Sequence, residues 1–362
     1  MFDINFFQNT QKLKENIVSR EYSEIDSKYL FESLEKLRNQ KPYVFNLETT
    51  NNCNMKCIMC PRTTAMTRNI TTIDDENFES VIQQIKPHTK EEIDKFLEFI
   101  NEEYGINELS RSENAFYFYV SSTCITLHGY GEPLIDPNIV SRVQLATQYK
   151  IPTYFSCVPS NIDIDKISTL MKSGLTVIKF SIDSLDDIEA KEIRGKKNNF
   201  TDAYKKILKI LELKKEFNYQ TKIICTMLDL STDTKSLDKQ KRFIELWNDK
   251  DVFTYVKSLD NRWYNDLDEN LQNKSHYESQ YCEFPWTSLT VMSNGDVVPC
   301  TQDYDNEMVF GNIKNNSLED IWNSDKYKEF RQWHIDGNFP KGNKCNERCD
   351  IKKIHFYTKG EK

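Results

Sequence analysis

Three cysteines on one short loop constrain this chain more than any other feature. Cys53, Cys57 and Cys60 lie in the run Thr50-Asn51-Asn52-Cys53-Asn54-Met55-Lys56-Cys57-Ile58-Met59-Cys60-Pro61-Arg62, spaced C-x3-C-x2-C, directly after a strand-like segment at 43–49. Thiolates so spaced can hold three corners of a cubic [4Fe–4S] cluster and leave the fourth iron open to a small molecule. A structural zinc site wants a second pair of ligands close by, and the nearest histidine is His88. Chance burial of three thiols suits an apolar strand or helix better than a loop rich in Asn, Lys and Arg. A disulfide framework suits short secreted chains. The start of this one, Met1-Phe2-Asp3-Ile4-Asn5, has no basic region followed by an apolar run. Reduced thiols and a cytoplasmic location are therefore expected.

A chain of 362 residues can bury a large core, and one large domain with a smaller companion is expected. Its 21 Phe, 18 Tyr and 5 Trp exclude a disordered protein. No apolar run approaches the length of a bilayer, so no membrane partner is expected. The formal charge of −8 argues against nucleic acid.

Residues 1–40 read as polar helix with one apolar stripe, Leu30, Leu34 and Leu37. Strand patterns follow at 43–49, 123–127, 153–156, 176–182, 222–227 and 252–256. Helical patterns near 75–86, 138–149, 164–173, 201–217 and 236–248 separate them, one of them stopping at Gly174. Such alternation predicts βαβ units and a parallel sheet. Residues 87–120, helical at 90–104, read as an insertion in an oversized first crossover.

The cysteine loop, placed after the first strand of such an alternation, resembles the radical S-adenosylmethionine (SAM) superfamily. The resemblance implies an α/β fold, a partial (β/α)6 TIM-type barrel over 41–265. It also implies an open iron chelated by SAM, whose reductive cleavage yields a 5′-deoxyadenosyl radical. The run Leu127-His128-Gly129-Tyr130-Gly131-Glu132-Pro133-Leu134 resembles the family's GGE motif. Gly129, Tyr130, Gly131 and Glu132 would then hold the methionyl amino group, with Tyr130 standing where a second glycine is usual. Read as residues alone, the glycines allow close approach to a ligand and His128 packs at a strand end. The family pattern further assigns Ser181 and Arg194 to the SAM carboxylate and ribose. Asn161 falls where the family often carries Thr-Asn-Gly. Asp183 reads equally as a cap for the next segment, and Cys124, Cys157 and Cys225 as packing residues.

A second cysteine group closes the chain. Cys282 precedes two apolar runs joined by Asn294-Gly295, a hairpin signal that returns the chain to Cys300; Cys345 and Cys349 add a pair. Four thiolates suit a second [4Fe–4S] cluster or a tetrahedral zinc ion. The stretch 280–350, followed by a tail at 351–362, resembles the SPASM/twitch extension of radical SAM enzymes, a small α+β domain. Within that extension the stretch resembles the single-cluster form found in an aminocyclitol dehydrogenase. The resemblance implies an auxiliary cluster that moves electrons and a flavodoxin or ferredoxin-type reductant. It further implies a small-molecule substrate, a carbohydrate or aminocyclitol oxidised at a secondary alcohol, with Arg262 beyond the sixth strand binding substrate oxygens. A peptide substrate for a modifying enzyme, a redox-neutral epimerase, and a non-enzymatic electron carrier or zinc scaffold remain the competing readings.

Overall fold

The computed structural model describes residues 1–19, 24–107, 110–230, 235–258, 282–347 and 349. Six strands lie side by side in chain order and pair in parallel: β1 (Val44–Leu47), β2 (Ile125–Thr126), β3 (Thr153–Cys157), β4 (Val177–Ser181), β5 (Lys222–Asp229) and β6 (Phe253–Ser258). Helices Asp75–Gln84, Ile139–Gln148, Ile164–Lys172, Phe200–Glu216 and Lys235–Trp247 run between them. This is the expected partial barrel, and its strand–helix alternation follows the predicted pattern closely. Helix starts are set by short polar caps: Asp74, Asp163 and Asn199 each accept from a backbone amide three residues on. Gly174 ends its helix at φ +97°, a region that suits glycine.

Alternate side chains along each strand serve two cores. Phe155, Ile178, Phe180 and Ile223 face the helical layer with Ile207, Ile210, Phe243 and Trp247. Tyr154, Val177, Ile224 and Tyr255 face inward and meet Phe116 and Val120. Those two residues belong to the helix Glu113–Thr123, which leads into β2. The ring of Phe116 lies 5.5 Å from Tyr154 and 5.3 Å from Tyr255. Part of the insertion thus plugs the barrel interior, while its other helix, Lys90–Tyr104, packs Phe96 and Ile100 on Phe2, Phe7 and Phe118.

The C-terminal hairpin grows from the barrel's own edge. Strand β7 (Leu289–Val291) pairs in parallel with β1, then β8 (Asp296–Val298) and β9 (Gly311–Asn312) continue antiparallel, giving one nine-stranded sheet. Gly295 takes φ +91° at the hairpin turn. The N-terminal helices pack on this region, where Phe6, Leu30, Phe31 and Leu34 surround Trp286 and Ile335. Leu37 departs from the expected stripe. It is the last residue of its helix, past the edge of the packed face, and is 46% exposed. Among the described residues no helix is long and apolar enough to cross a membrane.

Candidate active site and cysteine centres

A cavity of about 270 Å³ opens at the C-terminal ends of the strands, where barrel enzymes carry their chemistry. Cys53, Cys57 and Cys60 form one wall, and Gly129, Tyr130, Gly131, Glu132, Ser181 and Arg194 border the same space. The cysteine loop is pinned by its backbone: the amides of Lys56 and Ile58 donate to the carbonyls of Arg194 and Ile193 at 3.2 and 3.0 Å. Burial pushes the Cys53 thiol up to about 11. Burial also raises Cys57, against the pull of the neighbouring Arg194 guanidinium. Three thiols that border one cavity, two of them held back from ionising by burial, fit a group whose iron supplies the missing positive charge.

The loop after β2 is shaped by contacts with β1. A Cβ on Gly129 would stand 2.4 Å from Glu48 Oε1, and one on Gly131 only 2.0 Å from the Thr50 carbonyl oxygen. The glycines therefore permit a close approach, but to the chain's own first strand. Glu132 is buried; its carboxylate accepts from the amides of Val158 at 2.9 Å and Leu134 at 3.1 Å. Burial outweighs those bonds and raises it to about 7. Asn161 is not in the cavity wall and exchanges side-chain bonds of 2.8 and 3.0 Å with Asn54 of the cysteine loop. His128 does border the cavity, its Nδ1 accepting from the Ser156 amide at 3.1 Å, and so does Cys157.

At the end of β4, Ser181 Oγ lies 3.0 Å from Ser156 Oγ. Asp183 follows in the left-handed region at φ +62°, held by a 2.8 Å bond from the Leu228 amide and by an ion pair with Arg194. Arg194 Nη1 reaches Cys57 Sγ at 3.4 Å. Burial works against its charge, but Asp183 and Cys57 outweigh it and hold Arg194 above its ordinary range. Asp183 is thus an ion-pair partner rather than a simple cap. Arg262 lies outside the described residues.

Cys282, Cys300, Cys345 and Cys349 border a second, much smaller cavity of about 10 Å³, walled otherwise by Phe284, Pro285, Pro299, Phe330 and His334. Burial, then the neighbouring Cys349 and Cys282, push the Cys300 thiol far up. Four sulfurs without a carboxylate suit a soft metal centre. Among the described residues no three His, Cys, Asp or Glu side chains are grouped tightly enough to share a single ion. The donor set is therefore what carries the fit at both centres.

Glu48 and Arg68 escaped the sequence reading. Arg68 donates to Glu48 from both terminal nitrogens, at 2.9 and 3.0 Å, with side-chain exposures of 7% and 0%. Burial alone would raise Glu48, but Arg68 and the amides of Tyr130 and Ser293 bring it below its usual range. Arg68 Nε also donates to the Tyr304 carbonyl at 2.7 Å, and the Tyr130 hydroxyl donates to the Thr301 carbonyl beside Cys300. One buried network therefore runs from Tyr130 in the wall of the first cavity to the residue beside Cys300. An acid closing an apolar strand just before the cysteines was the available signal. Replacing Arg68 with Met leaves that carboxylate buried without its cation. A loss of about 3–5 kcal/mol is expected in chemical denaturation. Adding Glu48→Gln should recover part of it, and additive losses would refute the coupling.

The chain belongs to the radical SAM superfamily, whose family model matches residues 47–235, just over half of its length. An iron–sulfur cluster-binding domain of the SPASM type matches residues 282–350. It is a radical SAM enzyme, and iron–sulfur clusters and SAM are its cofactors. Over 305 residues it is 22% identical to the S-adenosyl-L-methionine-dependent 2-deoxy-scyllo-inosamine dehydrogenase of Niallia circulans, spanning 83% of this chain and 90% of that protein. Solved structures share the fold. They include anSMEcpe with bound AdoMet (TM-score 0.53, 15% identity, 81% of each chain). Another is Streptococcus suis SuiB bound to the precursor peptide SuiA (TM-score 0.52, 14% identity, 93% of this chain and 80% of that one).

Proposed function

We propose that this enzyme oxidises a secondary alcohol of a carbohydrate or aminocyclitol to a ketone. The observation that carries the reading is the pairing of a three-cysteine cavity of about 270 Å³ with a four-cysteine one of about 10 Å³, bridged by Tyr130. The dehydrogenase relative, matched over most of both chains, supports it. Cys53, Cys57 and Cys60 would hold a [4Fe–4S] cluster, and Cys282, Cys300, Cys345 and Cys349 a second. When bound, the first with SAM supplies a 5′-deoxyadenosyl radical, and the second accepts the electron left after the carbinol hydrogen is removed.

The chain's own groups do the positioning. Glu132, fixed by two backbone amides, takes full charge when the SAM ammonium arrives. Arg194, already braced by Asp183, offers a guanidinium face to the SAM carboxylate. Ser181, with Ser156, stands ready for ribose hydroxyls. Asn161 acts at one remove, clasping the cysteine loop through Asn54. Arg262 is assigned to substrate oxygens. Reducing equivalents come from a flavodoxin or ferredoxin-type partner.

Anaerobic incubation with SAM, a reducing system and panels of sugars, aminocyclitols and peptides tests the reading. One ketone should form per 5′-deoxyadenosine released in the coupled reaction. A crosslinked or epimerised peptide, or an epimerised sugar without net oxidation, would replace dehydrogenation with one of the competing reactions.

A further inference from the structure

The cysteine loop is a single layer of chain between the first cavity and solvent. Met55 and Cys57 turn inward and pack with Val158, while Asn54, Lys56 and Ile58 alternate with them and are exposed. Ile58, the neighbour of Cys57, is 62% exposed. The end of the helix Asp187–Arg194 lies alongside, held by the bonds from the Lys56 and Ile58 amides to the Arg194 and Ile193 carbonyls. Gly195 permits this seam, since it takes φ +97° and a Cβ on it would stand 3.4 Å from Lys56 Cβ. Lys196 and Lys197 follow, both exposed, in a turn closed by the Asn198 amide on the Gly195 carbonyl at 2.9 Å. Two distant stretches of sequence thus bring Lys56, Lys196 and Lys197 to one seam. Among the described residues none of the three makes an ion pair. Acids of the adjoining helix are engaged: Asp186 caps it, Asp187 accepts from the Thr201 amide and Glu189 pairs with Lys239. Lys191 and Glu192 add one exposed charge of each sign.

We infer that Lys56, Lys196 and Lys197, beside the exposed Ile58, form the docking face for an acidic flavodoxin-type carrier that reduces the first cluster. The inference rests on the reading that such a carrier supplies the electron, and says where it binds. A chain of net charge −8 repels an acidic protein over most of its surface, so a local basic face decides where the two meet. An apolar contact bordered by charges suits the small, short-lived interfaces of electron-transfer partners. The position suits the chemistry as well, because one turn of loop separates solvent from the three thiols. The carrier's flavin hydroquinone gives up one electron and becomes the semiquinone; the electron crosses the loop to the cluster, and no bond between the proteins forms or breaks.

Anaerobic calorimetric titration of the reconstituted holoenzyme with an oxidised bacterial flavodoxin tests this, without turnover. Lys196→Glu with Lys197→Glu should weaken binding about tenfold, and Lys56→Gln several-fold. Raised salt should weaken the wild type more than the double variant, because fewer charge pairs remain to be screened. Lys28→Glu with Lys90→Glu, two exposed lysines on the N-terminal helices and the insertion, changes the net charge equally and should leave binding within about twofold of wild type. Stopped-flow reduction of the first cluster by flavodoxin hydroquinone should slow in the Lys196/Lys197 variant, while reduction by dithionite stays unchanged. That dithionite rate, with iron content and melting curves, checks the fold; a poorly loaded variant is replaced by Lys196→Gln with Lys197→Gln. Unchanged flavodoxin affinity in the well-loaded lysine variants, or an equal loss in the Lys28/Lys90 control, would overturn the docking face and leave the carrier reading standing. A wild-type enzyme that neither binds flavodoxin nor is reduced by it, while dithionite still works, would remove the carrier reading and the docking face with it.

Discussion

Replacing Cys53, Cys57 and Cys60 together with Ala is expected to abolish SAM cleavage and to halve the iron content. The intact, anaerobically reconstituted chain should carry about eight iron and eight sulfide, four of each at either centre. The triple variant should keep about four, because Cys282, Cys300, Cys345 and Cys349 border a separate cavity. The fold should survive, since the loop that carries the three cysteines is also pinned by the backbone amides of Lys56 and Ile58, which the substitutions leave in place. 5′-Deoxyadenosine, measured with dithionite as reductant, should fall to background. Zinc in place of iron at either centre, or unchanged cleavage in the triple variant, would defeat the cluster assignment.

What was legible in the sequence was what local pattern controls. All six barrel strands could be read from short β-branched and aromatic runs, such as Val177-Ile178-Lys179-Phe180, bounded by turn residues. The intervening helices announced themselves through 3.6-residue periodicity and Asp or Asn caps. The cysteine motifs were equally plain, being defined by spacing alone. What stayed hidden depends on contacts distant in sequence. Ser293 donates to Glu48 across 245 positions, and no periodicity reports that. The glycines of the Gly129–Gly131 loop read as allowing close approach to a ligand, whereas the atoms crowding them are those of Glu48 and Thr50, which no local pattern could name. The pairing of β7 with β1 was invisible for the same reason. So was the plug: Phe116 looks like any buried aromatic until Tyr154 and Tyr255 converge on it. Leu37 illustrates the reverse failure, a position that fits the stripe but lies past the surface the helix covers.

Replacing Cys300 or Cys282 with Ala should separate SAM cleavage from substrate oxidation. Oxidising a secondary alcohol removes one hydrogen atom, one proton and one electron. The hydrogen atom leaves with 5′-deoxyadenosine and the proton passes to solvent, so the electron needs a further acceptor. With all four of Cys282, Cys300, Cys345 and Cys349 as ligands, the proposed second cluster would have no open position for a substrate, which suits an electron acceptor rather than a binding site. Tyr130 borders the three-cysteine cavity and its hydroxyl donates to the carbonyl of Thr301, the residue after Cys300, so one side chain reaches from the first cavity to the loop of the second. Either single variant is therefore expected to release 5′-deoxyadenosine while forming no ketone. Metal ligation can itself stabilise a small domain, so loss of product must come from a folded protein. The direct pairing of β7 with β1, and the packing of Trp286 on Phe6 and Phe31, favour survival of the fold. Circular dichroism and the spectrum of the remaining cluster check this in the same samples. Ketone at wild-type yield from a folded variant lacking the second cluster would show that the electron has another outlet. The four-cysteine centre would then be structural, and the dehydrogenase reading would lose its main support.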